Sequence, residues 1–151
     1  MEQPLIIKAQ IQIAKTTNEV YEAIVDPSQM SHYFISQSTG RMDEQESLEW
    51  RFPEFDITVP VKTGNMRRGE YVSFYWNDTD GKEMLVEIHL QPKGDSTHIL
   101  ITEKERNADP AGIAWYGRNT EGWANFLACL KAYLEYGINL RHGAFDFMKS
   151  H

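Results

Sequence analysis

Residues 109–137 carry the signals for one uninterrupted helix that is too long, and too apolar along one face, to stand alone. Asp109 is a good N-cap and Pro110 suits the first helical position. Trp123, Phe126, Leu127, Leu130 and Leu134 then recur at the spacing of a single helical face, which Trp115, Asn119 and Gly122 extend backwards. Gly137 supplies a left-handed stop. From Pro110 to Tyr136 such a helix reaches about 40 Å, the width of a small domain. Gly117 and Gly122 each cost about 1 kcal/mol against alanine in a helix interior. They therefore mark a bend, a frayed start or a close approach to whatever the helix covers.

The rest of the chain supplies the cover. Ile7, Ala9, Ile11 and Ile13 point one way and Lys8, Gln10 and Gln12 the other, a half-buried strand. Thr16, Thr17 and Asn18 then offer caps to a helix carrying Val20, Tyr21, Ile24 and Val25. Asp26-Pro27 ends it and opens a second short helix carrying Met30, Tyr33 and Phe34. Period-two alternation returns over 48–52, 55–62, 72–77, 84–91 and 97–104. Pro60 cannot donate a ladder hydrogen bond, which puts its strand at an edge or a bulge. Turn residues at 77–81 and 92–95 make the last strands an antiparallel meander with one apolar face. The expected fold class is α+β, a curved antiparallel sheet wrapped around the long C-terminal helix, with two short helices after the first strand.

A chain of 151 residues suits one domain, with a core over about 5–142 and a tail over 143–151. The formal net charge of −7 argues against nucleic acid as a partner, and Arg67-Arg68 reads as a solvated turn. No apolar run is long enough to span a membrane. Met1-Glu2-Gln3-Pro4 lacks the start of a secretory signal. Cys129 has no cysteine to pair with, and the cytoplasm is the expected compartment.

The order of elements and three sets of residues resemble the START-like (SRPBCC) superfamily and, within it, the family named for the C-terminal domain of the activator of the Hsp90 ATPase. The sets are Val20-Tyr21-Glu22-Ala23-Ile24-Val25-Asp26-Pro27 with Tyr33-Phe34; Asn77-Asp78-Thr79-Asp80-Gly81 ahead of 97–103; and Asn119-Thr120-Glu121-Gly122-Trp123 with 130–137. The resemblance covers roughly residues 5–142 and implies a helix-grip fold with a cavity between helix and sheet. Its members bind lipids, sterols, polyketides or other apolar molecules, and some are cyclases. It also brings in a chaperone as an alternative partner. The eukaryotic activator has a separate N-terminal domain that takes part in stimulating Hsp90, for which this chain has no room.

Where a curved sheet grips the helix, its inward residues include Trp50, Phe52, Phe74, Trp76 and Glu103, met by Trp115, Asn119, Trp123 and Phe126 from the helix and by Tyr21 and Phe34 from the short helices. Glu103 shares a face with Ile99 and Ile101, so it is either a buried carboxylate needing partners or a wet residue at a strand end. The expected ligand-binding residues are Tyr21, Phe34, Trp50, Phe74, Trp76, Glu103, Trp115, Tyr116, Asn119, Trp123 and Phe126. Glu103, Asn119 and Tyr116 would orient a small apolar or amphipathic ligand. His32 falls near the expected cavity mouth and reads as exposed; His89 and His98 face outward, and His142 and His151 lie in the tail. The histidines lack metal spacing, Cys129 lacks an activating base, and no phosphate loop or nucleophile elbow occurs. No cofactor, metal or catalytic residue is expected, and binding without catalysis is the preferred reading; a cyclase- or hydrolase-like enzyme on the same cavity, with Glu103 as its acid or base, is a further alternative. Residues 137–145 either pack back on the domain or reach a second copy, so a monomer or a homodimer is expected.

Overall fold

The computed structural model describes residues 4–149. Met1-Glu2-Gln3, read above for a signal, and His151 lie outside the described residues. The elements are β1 (Leu5–Ile13), α1 (Thr17–Val25), α2 (Pro27–Met30), β2 (Gln37–Ser38), β3 (Ser47–Arg51), β4 (Thr58–Arg67), β5 (Tyr71–Asn77), β6 (Glu83–Lys93), β7 (Ser96–Arg106) and α3 (Pro110–Tyr136). All seven strands form one antiparallel sheet in the order β1-β7-β6-β5-β4-β3-β2. The first strand reaches β7 because the two short helices carry the chain across, and the meander returns it. This is the expected α+β helix-grip architecture.

Each helix begins where a side chain satisfies its free N–H groups. Thr16 and Glu19 form a capping box at α1. Asp26 accepts from the Ser28 N–H ahead of Pro27. Asp109 accepts from the Gly112 N–H at 2.7 Å. At the far end of α3, Gly137 takes φ 64°, and the N–H groups of Gly137 and Ile138 return to the carbonyls of Tyr133 and Ala132. The concave face buries Trp50, Phe74, Met84, Val86, Ile88, Ile99 and Ile101 against Trp123, Phe126, Leu127 and Leu130 of α3.

Four local expectations change. Phe55 and Ile57 do not start a strand: β4 begins at Thr58 and runs on to Arg67, leaving both residues exposed in a loop. A loop through Pro53 and Glu54 precedes them, and Glu54 is buried. The second helix stops at Met30, so Tyr33 and Phe34 sit in the turns that follow. Strand β4 is interior, not an edge, although its register against β5 shifts between Thr63 and Met66; pairing with β5 begins at Lys62, so Pro60 pairs only with Glu49 of β3. Gly117 and Gly122 mark no close approach, for a Cβ on either meets nothing within 4 Å. The close approach is at Gly112, where a Cβ would lie 1.9 Å from the carbonyl oxygen of Asn107.

Beside the sheet, Arg41 ties α1 to the loop before β3. Its guanidinium meets Glu22 and Asp43 at 3.0 Å each, and Arg68 reaches Glu22 at 2.7 Å. These cations hold the Glu22 and Asp43 carboxyls below their ordinary values, mainly through hydrogen bonds from Arg41. The buried Tyr21 hydroxyl donates to Asp43 at 3.2 Å, and burial followed by the Asp43 charge pushes its pKa up to about 12.

Two outcomes follow from these contacts. In urea denaturation, Gly112→Ala destabilises the protein by about 2 kcal/mol through overpacking, whereas Gly122→Ala stabilises it by about 1 kcal/mol; a neutral Gly112→Ala would contradict the geometry. Because the Glu22 and Asp43 pKa values are depressed on folding, their stabilisation is present above the ordinary carboxylate range and is lost as pH falls through the lowered values. Tyr21 is the opposite case: its contribution is present below about pH 10, the ordinary tyrosine value, and is lost as pH rises through about 12. An ultraviolet phenolate titration of wild type against Tyr21→Phe should differ by one late-titrating group, and a difference centred near pH 10 would contradict this.

Candidate functional site

Inward positions of β7 alternate through Thr97, Ile99, Ile101 and Glu103, and the strand continues to Arg106. Glu103 pairs in register with Ile7 on one side and Val86 on the other, so it is mid-sheet, not at a frayed end. It is fully buried. Its Oε2 accepts the indole N–H of Trp76 at 3.0 Å. Its Oε1 accepts the indole N–H of Trp123 at 2.8 Å and the amide of Asn119 at 3.0 Å. Asn119 and Trp123 lie four residues apart, one above the other on α3. One carboxylate thus joins β5, β7 and α3 through three neutral donors.

Around this anchor the rings pack edge to face. Phe34 meets Phe126 at 4.7 Å and Trp50 at 5.5 Å, while Trp50 meets Phe74 at 5.3 Å and Trp76 at 6.1 Å. Trp76 and Trp123 are 5.5 Å apart at 34°. These distances are those of favourable aromatic pairs. The middle of the sheet–helix interface is therefore filled by the protein's own side chains, with Trp50, Phe74 and Phe126 as core.

A cavity of about 400 Å³ opens at one end of this cluster. Phe34, Trp76, Asn119 and Trp123 line it, four of the residues expected from sequence. Glu103 stands behind three of them, bonded to each. The other expected residues lie elsewhere. Trp115 is buried farther along α3, with an indole N–H that meets no acceptor. Tyr116 is 41% exposed. Tyr21 belongs to the Arg41 cluster. His32 is exposed and stacks on Tyr133 at 5.5 Å. Cys129 is buried, which pushes its thiol up.

Several lining residues escaped the sequence reading. Phe55, Ile57 and Val59 form one wall from the loop and the start of β4. Asn125 belongs to α3, as does Gly122, which the sequence placed on the inner helix face but not on a ligand site; the bare backbone at Gly122 keeps that wall open. The third wall is the tail, where Arg141, Phe145 and Met148 fold back over the mouth. Arg141 is held by Glu54 at 2.6 and 3.2 Å, and its guanidinium lies over Phe145, Phe52 and Phe34 at 4.8, 5.7 and 5.9 Å. Arg118, beside the 77–79 turn, donates to Asp78 at 2.8 Å; Arg106 donates to Asp78 and Asp80 at 2.6 Å each and holds Asp80 below its ordinary value. The apolar residues after Gly137 were the available signal for the tail; nothing in local pattern pairs Arg141 with Glu54.

A second hollow of about 460 Å³ lies along β3, β4 and β5, among Glu49, Lys62, Tyr75 and Glu83. It is larger but has no helix wall and is edged by charged side chains, so the aromatic cavity is the better ligand site. Among the described residues, no group of three or more His, Cys, Asp or Glu is placed to hold a metal ion, and no helix is long and apolar enough to cross a membrane.

Known structures share this architecture. Protein SSP2350 of Staphylococcus saprophyticus is 25% identical, with a TM-score of 0.79 over 91% of this chain and 96% of its own. DynU16, a putative protein in the dynemicin biosynthetic locus, is 19% identical, with a TM-score of 0.77 over 89% of this chain and 48% of its own. The Aha1 dimer of Colwellia psychrerythraea is 16% identical, with a TM-score of 0.72 over 88% of this chain and 98% of its own. No curated protein matches the sequence. The family described as activator of Hsp90 ATPase homolog 1-like protein matches residues 15–135. The same stretch holds all but the last residue of the long helix, Glu103 and most of the cavity wall, and the chain belongs to that family.

Proposed function

We propose that this chain binds a small hydrophobic or amphipathic molecule, without catalysis, in the cavity between the sheet, α3 and the folded-back tail. The observation that carries this reading is the cavity itself: about 400 Å³, walled by aromatic side chains, with a few polar groups at fixed positions. That size and lining are those of small-molecule sites. Burial of ligand surface would drive binding at roughly 25 cal/mol per Å². Asn119 gives its amide N–H to Glu103, leaving its carbonyl oxygen for a ligand donor. Glu103 acts as a positioning residue. Its oxygens accept three N–H groups from lining residues while Glu103 itself is not on the cavity lining, so it aligns the walls. A lone buried cysteine is consistent with residence in a reducing cytoplasm.

Family membership favours a second reading, association with a chaperone through an outer surface. A pull-down with a purified Hsp90-class chaperone separates the two, because chaperone binding that survives a blocked cavity belongs to the surface and not to the ligand site.

Nile red, a neutral apolar dye, should bind saturably at one site and quench tryptophan fluorescence. Gly122→Phe places a ring in the open space beside α3 and should weaken that binding by about tenfold or more without lowering the melting temperature. Non-saturable dye uptake, or equal affinity in the variant, would count against the cavity.

A further inference from the structure

We propose that the ligand of this cavity is a cationic amphiphile, an apolar ring-bearing body that carries an ammonium or similar cationic group. The proposal rests on the binding site argued above and assigns its charge class. Cations and carboxylates around the cavity do not cancel. Arg106 and Arg118 are matched by Asp78 and Asp80, and Arg141 is matched by Glu54. Glu103 has only neutral donors, and Glu121, on the lining, makes no salt bridge among the described residues. No lysine lines the cavity. An anionic ligand would have to share a guanidinium already paired with a carboxylate, Arg118 with Asp78 or Arg141 with Glu54. A cationic one enters a site where negative charge is in excess.

The rings strengthen the same preference. Trp76 and Trp123 both donate their indole N–H to one carboxylate and both line the cavity. An N–H···carboxylate bond pushes electron density into the indole, and electron-rich ring faces attract cations. The chain itself supplies the precedent. The Arg141 guanidinium rests over Phe34, Phe52 and Phe145, all of which border or line this space.

Three probes that share one ring system test the charge class: 2-naphthylmethylammonium, 2-naphthalenemethanol and 2-naphthoate, titrated by calorimetry at neutral pH. The ammonium probe should bind about tenfold or more tighter than the carboxylate. Glu103→Gln keeps an acceptor but removes the charge, and should collapse the ratio between the two. Glu121→Gln, on an exposed helix position, should reduce the ratio in the same direction and carries no risk to the core. If all three probes bind equally, or the carboxylate binds best, the charge class is overturned and the cavity stands. If none binds, the ligand site falls, and the charge class with it.

Discussion

Three N–H groups converge on the carboxylate of Glu103, and the position of the long helix over the sheet depends on that convergence. A charge buried between strands costs several kcal/mol unless its oxygens are occupied. Here Trp76 of β5 and Asn119 and Trp123 of α3 occupy them. The same bonds fix where the core ends. On one side of the two indoles, Phe34, Trp50, Phe74 and Phe126 close into a filled aromatic cluster. On the other side, Trp76, Asn119 and Trp123 become cavity wall. One polar contact thus separates the part of the interface that stabilises the fold from the part left open to a ligand.

The wall opposite the indoles is made by a different kind of contact. The chain after Gly137 turns back across the end of the sheet, and the pair of half-buried Arg141 with buried Glu54 secures it to the loop before β4. Gly122 then has a reason that helix propensity cannot supply. The missing side chain leaves room beside α3 at the point where tail, loop and helix face one another. Nothing in the structure explains Gly117, whose Cβ position is equally open.

Local periodicity was enough to read α3, because both of its ends are written in short-range chemistry: an Asp109 side chain on the Gly112 N–H and a left-handed Gly137. Glu103 was legible for a similar reason, since β-strand alternation alone puts it on the face of Ile99 and Ile101. Its partners were legible only as members of an inward-facing set. Phe55 and Ile57 misled because alternation does not distinguish a strand from a loop with apolar residues every second position. Arg141 and Glu54 are 87 residues apart, and no spacing rule connects them. Sequence therefore revealed Trp76, Asn119 and Trp123 on regular elements and Phe34 in the turn after α2, and it missed Phe55, Ile57 and the tail residues that close the other walls. Tyr21, Trp115 and Tyr116 lie apart from the cavity because facing inward does not tell which end of the interface stays open.

Proton–nitrogen correlation NMR of the four tryptophan indoles tests the central contact directly. Trp76 and Trp123 donate to Glu103, whereas the indole N–H groups of Trp50 and Trp115 have no acceptor. The indole protons of Trp76 and Trp123 should resonate downfield of the Trp115 proton, and Glu103→Gln should shift both while leaving Trp115 in place. Trp76 and Trp123 signals that coincide with Trp115 and ignore the substitution would contradict the account.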